Sequence, residues 1–562
     1  MKAQAEGMSS AERHAVMVYL GAPAPKTAAP VSAAALCGGP PTPPGTPEGA
    51  HWNGWGVDFA NSRFQDAANA GIAAADVPKL KLKWAFGLGD TTAARAHASV
   101  VAGRVFAGSE SGAVYALDAR TGCTYWTFQA DGAVTAGLVV GRNLIGRGAI
   151  GASLAGQGQA YFGDQKANVY AVDATTGKLL WKVRADDHFA ARVTAASQLY
   201  QGVLYVPVAS FEEVLALSPT YECCTFRGSL VAFDAATGKR LWKTFTIAEA
   251  PRPVKKSQTG AQLMGPSGAS VWSAPTVDEK LGVLYVATGN NYSDPPTATS
   301  DAVLALDRKT GRILWSKQLT PNDATNSACS MPGKMNCPDA DGPDADFGQP
   351  PILISLPNGR RALVLGQKSG VVYALDPDKR GEVLWLTRVG RGGPLGGMQW
   401  GSAADHENVY AALSDLQIAG GVPDSAAPMG FRLLADPLKG GGLFALRLAN
   451  GEKAWSAAPP VCGDRKNCSP AQSAAVTAIA GVVFSGSVDG HLRAYSAATG
   501  DVVWDVDTVR EYDTVNGAKA RGGSLDGAGP AIAGGMLYVN SGYSQWGGMP
   551  GNVLLAFSVD GK

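Results

Sequence analysis

Eight cysteines are the residues in this chain whose spacing most directly limits the chemistry it can do. Cys223 and Cys224 are adjacent, while Cys329 with Cys337 and Cys462 with Cys468 form local pairs. A zinc site needs histidine or further cysteine at ligand spacing, yet each pair sits in a loop rich in Pro, Asn and Asp with no His nearby. An even count so arranged reads as local disulfides formed in an oxidising compartment, with Cys37 and Cys123 left to staple the early chain to the first folded unit. Scattered reduced thiols are the alternative. The adjacent pair weighs against it, since two neighbouring cysteines seldom arise by accident. Two further patterns compete for attention. Asp339, Asp341, Asp344 and Asp346 crowd one segment, which reads as a plain acidic loop. Gly146-Arg-Gly148-Ala-Ile-Gly151 matches the dinucleotide fingerprint as a string, but no helix opens at its glycines, so it reads as a Gly-rich loop.

The elements that must position such groups are announced by a repeated phrase. Tyr115-Ala-Leu-Asp118, then Thr-Gly122, then Trp126 recurs around Asp173, Gly177 and Trp181 and around Asp234, Gly238 and Trp242, with looser copies ending at Trp315, Trp385, Trp455 and Trp504. A fixed phrase with variable spacers is the mark of a repeat architecture. Alternating large and small residues predict a half-buried strand, and Asp-x-x-Thr-Gly predicts a turn. Further strand-like runs in the spacers, Val203-Leu-Tyr-Val206 among them, bring each unit to about four strands, which describes a β-propeller. The last phrase stops at Lys562 before any Trp, and the orphan run Leu80-Lys-Leu-Lys-Trp84 supplies one. Joining the termini in one blade predicts an all-β, eight-bladed propeller. A seven-bladed ring with Trp84 in a decorating strand is the alternative.

Composition narrows the partners. The chain has 562 residues, with 48 basic against 47 acidic side chains, so no basic stripe suggests nucleic acid. No apolar run approaches the length of a membrane span. Residues 1–21 read as a short amphipathic helix, residues 22–50 as a Pro/Ala-rich linker, and residues 51–562 as the propeller. The opening residues lack the basic and apolar pattern of a secretory signal.

The repeated phrase resembles the tryptophan-docking motif of the quinoprotein alcohol dehydrogenases, eight-bladed propellers that bind pyrroloquinoline quinone (PQQ). More narrowly, Trp52-Asn-Gly-Trp55-Gly-x-Asp58-x-x-Asn61-x-Arg63 and Cys223-Cys-Thr-Phe-Arg227-Gly resemble the cytochrome-dependent polyvinyl alcohol dehydrogenases. The resemblance implies a PQQ- and calcium-dependent oxidation of secondary alcohol groups, periplasmic or secreted, with electrons leaving to a cytochrome c. It also implies that residues 8–20 end a cytochrome domain. No Cys-x-x-Cys-His haem motif occurs in the chain, so haem c is expected only in an upstream domain or a partner.

The resemblance further implies a site. Trp272 matches the tryptophan beneath the quinone ring, and it falls outside the docking phrase. Asn290 matches a calcium-binding strand-end asparagine. Glu212 or Glu213 matches a calcium-binding glutamate, with strand counting favouring Glu212. Thr194 and Arg227 match quinone-binding positions, and Gln399 and Trp400 match weaker rim contacts. Asp346 matches the catalytic base that also touches the metal, and Lys368 a cation beside the reactive carbonyl. Cys223 and Cys224 fall one blade later than the pair that caps the quinone in better-known relatives, so their contact with it is open. Each position also has a bland explanation as core, turn or surface residue. A propeller that has lost its cofactor and serves as a scaffold is the competing function.

Overall fold

The Asp-x-x-Thr-Gly phrase folds the same way at successive sites. Asp118 Oδ1 accepts from the Thr121 amide and hydroxyl, and the clasp recurs at Asp173 with Thr176, Asp234 with Thr237 and Asp307 with Thr310. Glycine is needed after it for two reasons. Gly177 has φ of 72°, and a Cβ there would stand 2.7 Å from the Trp126 ring of the preceding blade. The tryptophan of one blade thus lies on the turn of the next, where its indole N–H donates to a carbonyl: Trp126 to Ala174 and Trp181 to Ala235, both at 3.0 Å.

The computed structural model describes residues 35–38, 49–89, 91–141, 158–356, 358–423 and 431–562. The expected helix at residues 8–20 and the Gly146–Gly151 loop lie outside these. Eight antiparallel four-stranded blades close a ring. Leu80–Gly87 is the outer strand on Val553–Val559, with Leu80 opposite Val559 and Gly87 opposite Val553. Trp84 reaches the Ala119 carbonyl at 3.2 Å, so it is a docking residue and the seven-bladed alternative falls. All four expected disulfides are formed: Cys37–Cys123, Cys223–Cys224, Cys329–Cys337 and Cys462–Cys468.

The apolar cores lie in the seams between blades. Trp84, Tyr115 and Tyr538 fill the seam at ring closure, and Phe106, Trp126 and Tyr170 fill the next. Stability is therefore a chain of neighbour contacts around a ring. The first strand of each blade faces the axis, and a single segment closes one end of that axis. Trp52 exchanges backbone bonds of 2.7 Å with Val100, and the Asn53 amide pairs with the Val140 backbone. Phe59 meets the Tyr200 ring at 5.1 Å and takes the Val277 N–H. The carbonyls of Ala60, Ser62 and Arg63 take Leu353, Ala404 and Ala478, and Gln65 reaches the Ile532 carbonyl at 2.9 Å. Residues 52–65 thereby touch the axial strand of every blade. Arg63, fully buried, donates to the carbonyls of Val476 and Trp55 at 2.6 Å and to Thr477 Oγ1 at 2.9 Å. Its guanidinium lies on the rings of Trp52 and Trp55.

Candidate functional site

The opposite end of the axis is framed by the loops that enter the axial strands. Asp346 sits in the loop before Ile352–Ser355 and is packed over Gly289, where a Cβ would come within 2.7 Å of its Oδ1. That oxygen accepts the Asn290 amide N–H at 2.5 Å. Asp346 Oδ2 lies 3.1 Å from Lys368 Nζ, which also bonds Asp344 at 2.9 Å. Lys368 stands on the hairpin between Arg361–Gly366 and Val371–Asp376. Burial works against its charge, but Asp344, Asp346 and Glu213 outweigh it and raise its pKa.

Trp272 takes its place beside this cluster, with the Lys368 ammonium 5.4 Å from its ring centre. Gly348 makes room for the indole: a Cβ there would meet it at 2.1 Å. Trp400 stands perpendicular to Trp272 at 5.6 Å and is fixed by its N–H bond of 2.5 Å to Asp526. Gln399 is buried and donates to the Gly396 carbonyl at 2.6 Å. The Thr194 hydroxyl is buried without a hydrogen-bond partner. Asn290 spends both amide hydrogens on the carbonyls of Asn291 and Thr325, at 2.7 and 2.6 Å, which leaves its Oδ1 as the remaining acceptor.

The two glutamates part company. The strand ends at Ser210, whose hydroxyl accepts the Glu212 N–H at 3.0 Å and starts the one-turn helix Glu212–Leu215. Glu212 turns into the protein: its carboxylate accepts from Tyr221 Oη and from the amides of Thr225 and Phe226, with His188 3.6 Å away. Burial would raise its pKa, but His188 and those amides hold it below the ordinary range. Glu213 goes the other way, into the field of Asp344 and Asp346. Burial and those carboxylates push its pKa up to about 8, against the pull of Lys368 and Arg192. The structure therefore brings Glu213, not Glu212, to the cluster.

Three more expected residues are held in other contacts. Arg227 stacks on Phe245 at 3.8 Å and donates to the carbonyls of Ile247 and Ala248, so its guanidinium is held at the side of its own blade. Cys223 and Cys224 are sealed in an apolar cluster with Leu263, Tyr292 and Ala328.

Several residues that the sequence left unmarked complete the site. Asp323 accepts the Ala345 N–H at 2.6 Å and is raised to about 6 by burial and Asp346. Asp301 is fully buried with both oxygens unpartnered, and burial and Asp323 raise it well above its usual range. Arg192 lies against Phe211 at 4.1 Å, with burial and Arg95 lowering its pKa to about 10. Arg95 pairs with Glu110 at 2.6 Å. These positions follow no motif; they lie in the loops that enter the first strand of a blade or join its second and third strands. Lys368 bonds Asp344 and Asp346, and Glu213, Asp301 and Asp323 act on the same group through their charge, with Arg192 opposing them at Glu213. That excess of buried negative charge is the chemistry of a cation site.

A family model described as the glucose/ethanol/alcohol dehydrogenase β-propeller domain matches residues 52–388. A second, that of outer membrane protein assembly factor BamB, matches residues 368–521 and 439–562. A polyvinylalcohol dehydrogenase of a Pseudomonas species is 43% identical over 100% of this chain and 87% of its own length. Another from Sphingopyxis is 43% identical over 94% of this chain and 79% of its own. Quinohemoprotein alcohol dehydrogenase of Comamonas testosteroni is 26% identical over 81% of the chain and 69% of its own. Its crystal structure superposes with a TM-score of 0.62 at 22% identity, over 91% of this chain and 81% of that one, which speaks for the fold. The chain belongs to the PQQ-dependent dehydrogenase family of propellers and is a quinoprotein dehydrogenase.

Proposed function

We propose that the protein oxidises secondary hydroxyl groups, those of polyvinyl alcohol-like polymers included, with PQQ and calcium at the axial site, and passes the electrons to a cytochrome c. The observation that carries this is the unbalanced carboxylate cluster beside the face of Trp272. The donor set fits both groups. Oxygens of Glu213, Asn290 and Asp346 suit a hard cation, and none of the three has the full set of partners that Glu212 has. A flat acidic quinone finds the half-exposed indole of Trp272, the unpartnered hydroxyl of Thr194, and the cations Arg192 and Arg95. Held by these residues, the quinone would supply a hydride acceptor for the carbinol carbon and calcium would supply a Lewis acid.

The chain's own residues do the rest. Asp346 is held at one oxygen by the Asn290 amide and at the other by Lys368, so its orientation is fixed before substrate arrives. From there it takes the proton of the alcohol hydroxyl as general base. Lys368 places its cation against Asp346 and Asp344 in a buried setting. Trp400, tied to Asp526, walls the site and limits water. The four disulfides support an oxidising compartment, the periplasm or outside the cell. Among the described residues no helix is long and apolar enough to cross a membrane.

The test is reconstitution of purified protein with PQQ and calcium. A ligand selective for the folded state raises the unfolding midpoint, by about 2.7 kcal/mol of stability at a hundredfold excess over Kd. Dye reduction should then follow addition of 2-butanol or polyvinyl alcohol. No midpoint shift and no dye reduction at saturating cofactor would sink the proposal in favour of a scaffold.

A further inference from the structure

The loop of residues 542–552, which joins the second and third strands of the closing blade, is held from two sides. The Ala94 N–H donates to the Gly542 carbonyl at 2.8 Å and the Gly551 N–H to the Thr92 carbonyl at 3.1 Å. Gln545 accepts from Arg95 at 3.1 Å, and the Arg95 guanidinium lies 6.0 Å from the Tyr543 ring. On the far side Gly547 is pressed on the hairpin strand Phe431–Ala435, where a Cβ would stand 2.8 Å from the Ala435 nitrogen. Tyr543 and Met549 are buried within this frame, whereas Trp546 between them is 44% exposed. Its backbone has φ of 51° and ψ of 34°. A left-handed conformation is uncommon for a bulky residue and persists only where the surroundings enforce it. Here the contacts to Arg95 and to the hairpin enforce it, and the result is a large indole kept in solvent on the loop that partners Arg95. Ile418, paired with Ala435 across the hairpin, and Leu438 just beyond it are exposed as well.

We propose that Trp546 is a substrate-binding residue outside the reaction centre: a platform for the hydrocarbon backbone of a polymeric alcohol while one hydroxyl is at Asp346. This rests on the dehydrogenase function proposed above. A polymer of alternating CH₂ and CHOH units offers a continuous C–H surface along its backbone. An indole supplies a broad rigid face for such a surface at low entropic cost, and the unreacted hydroxyls stay in water. A small alcohol satisfies the reaction centre alone and has no length to spare for Trp546.

Trp546→Ala and Trp546→Phe, compared with the parent in the PQQ- and calcium-loaded protein, separate these uses. The ratio of kcat/KM for polyvinyl alcohol to that for 2-butanol should fall about tenfold in the Ala variant, through KM for the polymer, as for loss of an aromatic anchor. Phe should restore most of the ratio. A second measurement needs no turnover: migration in a native gel cast with polyvinyl alcohol, where the parent is retarded and the Ala variant is less so. An unchanged ratio with unchanged retardation overturns the proposal and leaves the dehydrogenase function standing. Equal losses on both alcohols also overturn it, because the loop would then act only through Arg95. Retardation lost in the Ala variant, with no turnover on either alcohol in the parent, supports Trp546 as a polymer contact and sinks the dehydrogenase function instead.

Discussion

Both ends of the propeller axis bury charge, and they leave it in opposite states. At one end Arg63 is fully buried, and the carbonyls of Trp55, Val476 and Pro530 with the Thr477 hydroxyl take its N–H groups. At the other end Asp301 is equally buried with neither oxygen partnered, and Glu213 is pushed up to about 8 by burial and by its acidic neighbours. Buried charges are nearly always paired, so the end with surplus carboxylates is where the protein has kept capacity for something it binds. The closed end is structural and the open end is chemical, and substitutions at each should fail in different ways.

The largest effect is expected at Asp346. Asp346→Asn keeps the size and the bond from Asn290 but cannot take the alcohol proton, so turnover of the reconstituted enzyme should fall by about 10²–10⁴-fold. PQQ affinity, read by thermal shift, should change much less. Near-normal turnover would reduce the acidic segment to a loop and move the base elsewhere on this face. Arg63→Ala should do the reverse. It strands the carbonyls of Val476 and Trp55 and loosens the segment that touches every blade, at a cost of about 3–5 kcal/mol in unfolding free energy. If Arg63→Ala unfolds with the parent's midpoint, residues 52–65 are a passenger and not a closure. Asp301→Asn makes the contrast sharper. It replaces a repelled carboxylate with a neutral amide of the same shape, so the metal-free protein should gain stability, by about 1 kcal/mol. A loss as large as that of Arg63→Ala would mean that Asp301 has a structural partner after all.

The glutamate pair divides on the same principle. Glu213→Gln should weaken calcium binding by about tenfold or more, with excess calcium restoring part of the rate. Glu212→Gln should leave calcium affinity near the parent's and lower stability instead, since it breaks bonds to Tyr221, Thr225 and Phe226. Calcium titrations followed by thermal shift distinguish the two.

What was legible in advance follows from how locally each feature is encoded. The ring was legible because each docking phrase carries its own turn and tryptophan, and even the closing role of Trp84 could be read from the two chain ends. Trp272, Asn290, Asp346 and Lys368 were reached through the family resemblance, each on a short motif of neighbouring residues. Glu212 was favoured because strand counting was carried past Ser210, where the chain turns helical and side-chain directions no longer alternate. Arg227 is a matter of where a long flexible side chain settles, and Phe245 with the carbonyls of Ile247 and Ala248 decides that. Asp301, Asp323 and Arg192 come from three separate stretches of chain and converge only in the folded ring, so no motif announces them.

The smallest and most diagnostic effect is on pH. In the metal-free protein Glu213 titrates near 8 and Asp323 and Asp344 near 6, each raised by burial and by neighbouring carboxylates. The same groups in the unfolded chain titrate near about 4. Between about pH 4 and pH 8 the native state therefore holds protons that the unfolded state has released, and stability must fall as pH rises. On the proposed calcium site the metal would take the place of those protons, so saturating calcium should flatten the profile, with the gain in midpoint largest at pH 8. Glu213→Gln should flatten the upper part of the metal-free profile, from about pH 6 to pH 8, because it removes the group that titrates last. Arg63→Ala should lower the whole curve without changing its slope there, since arginine stays charged throughout. Parallel calcium-free and calcium-loaded curves would show that the metal does not bind among these carboxylates, and the open end of the axis would then need another occupant.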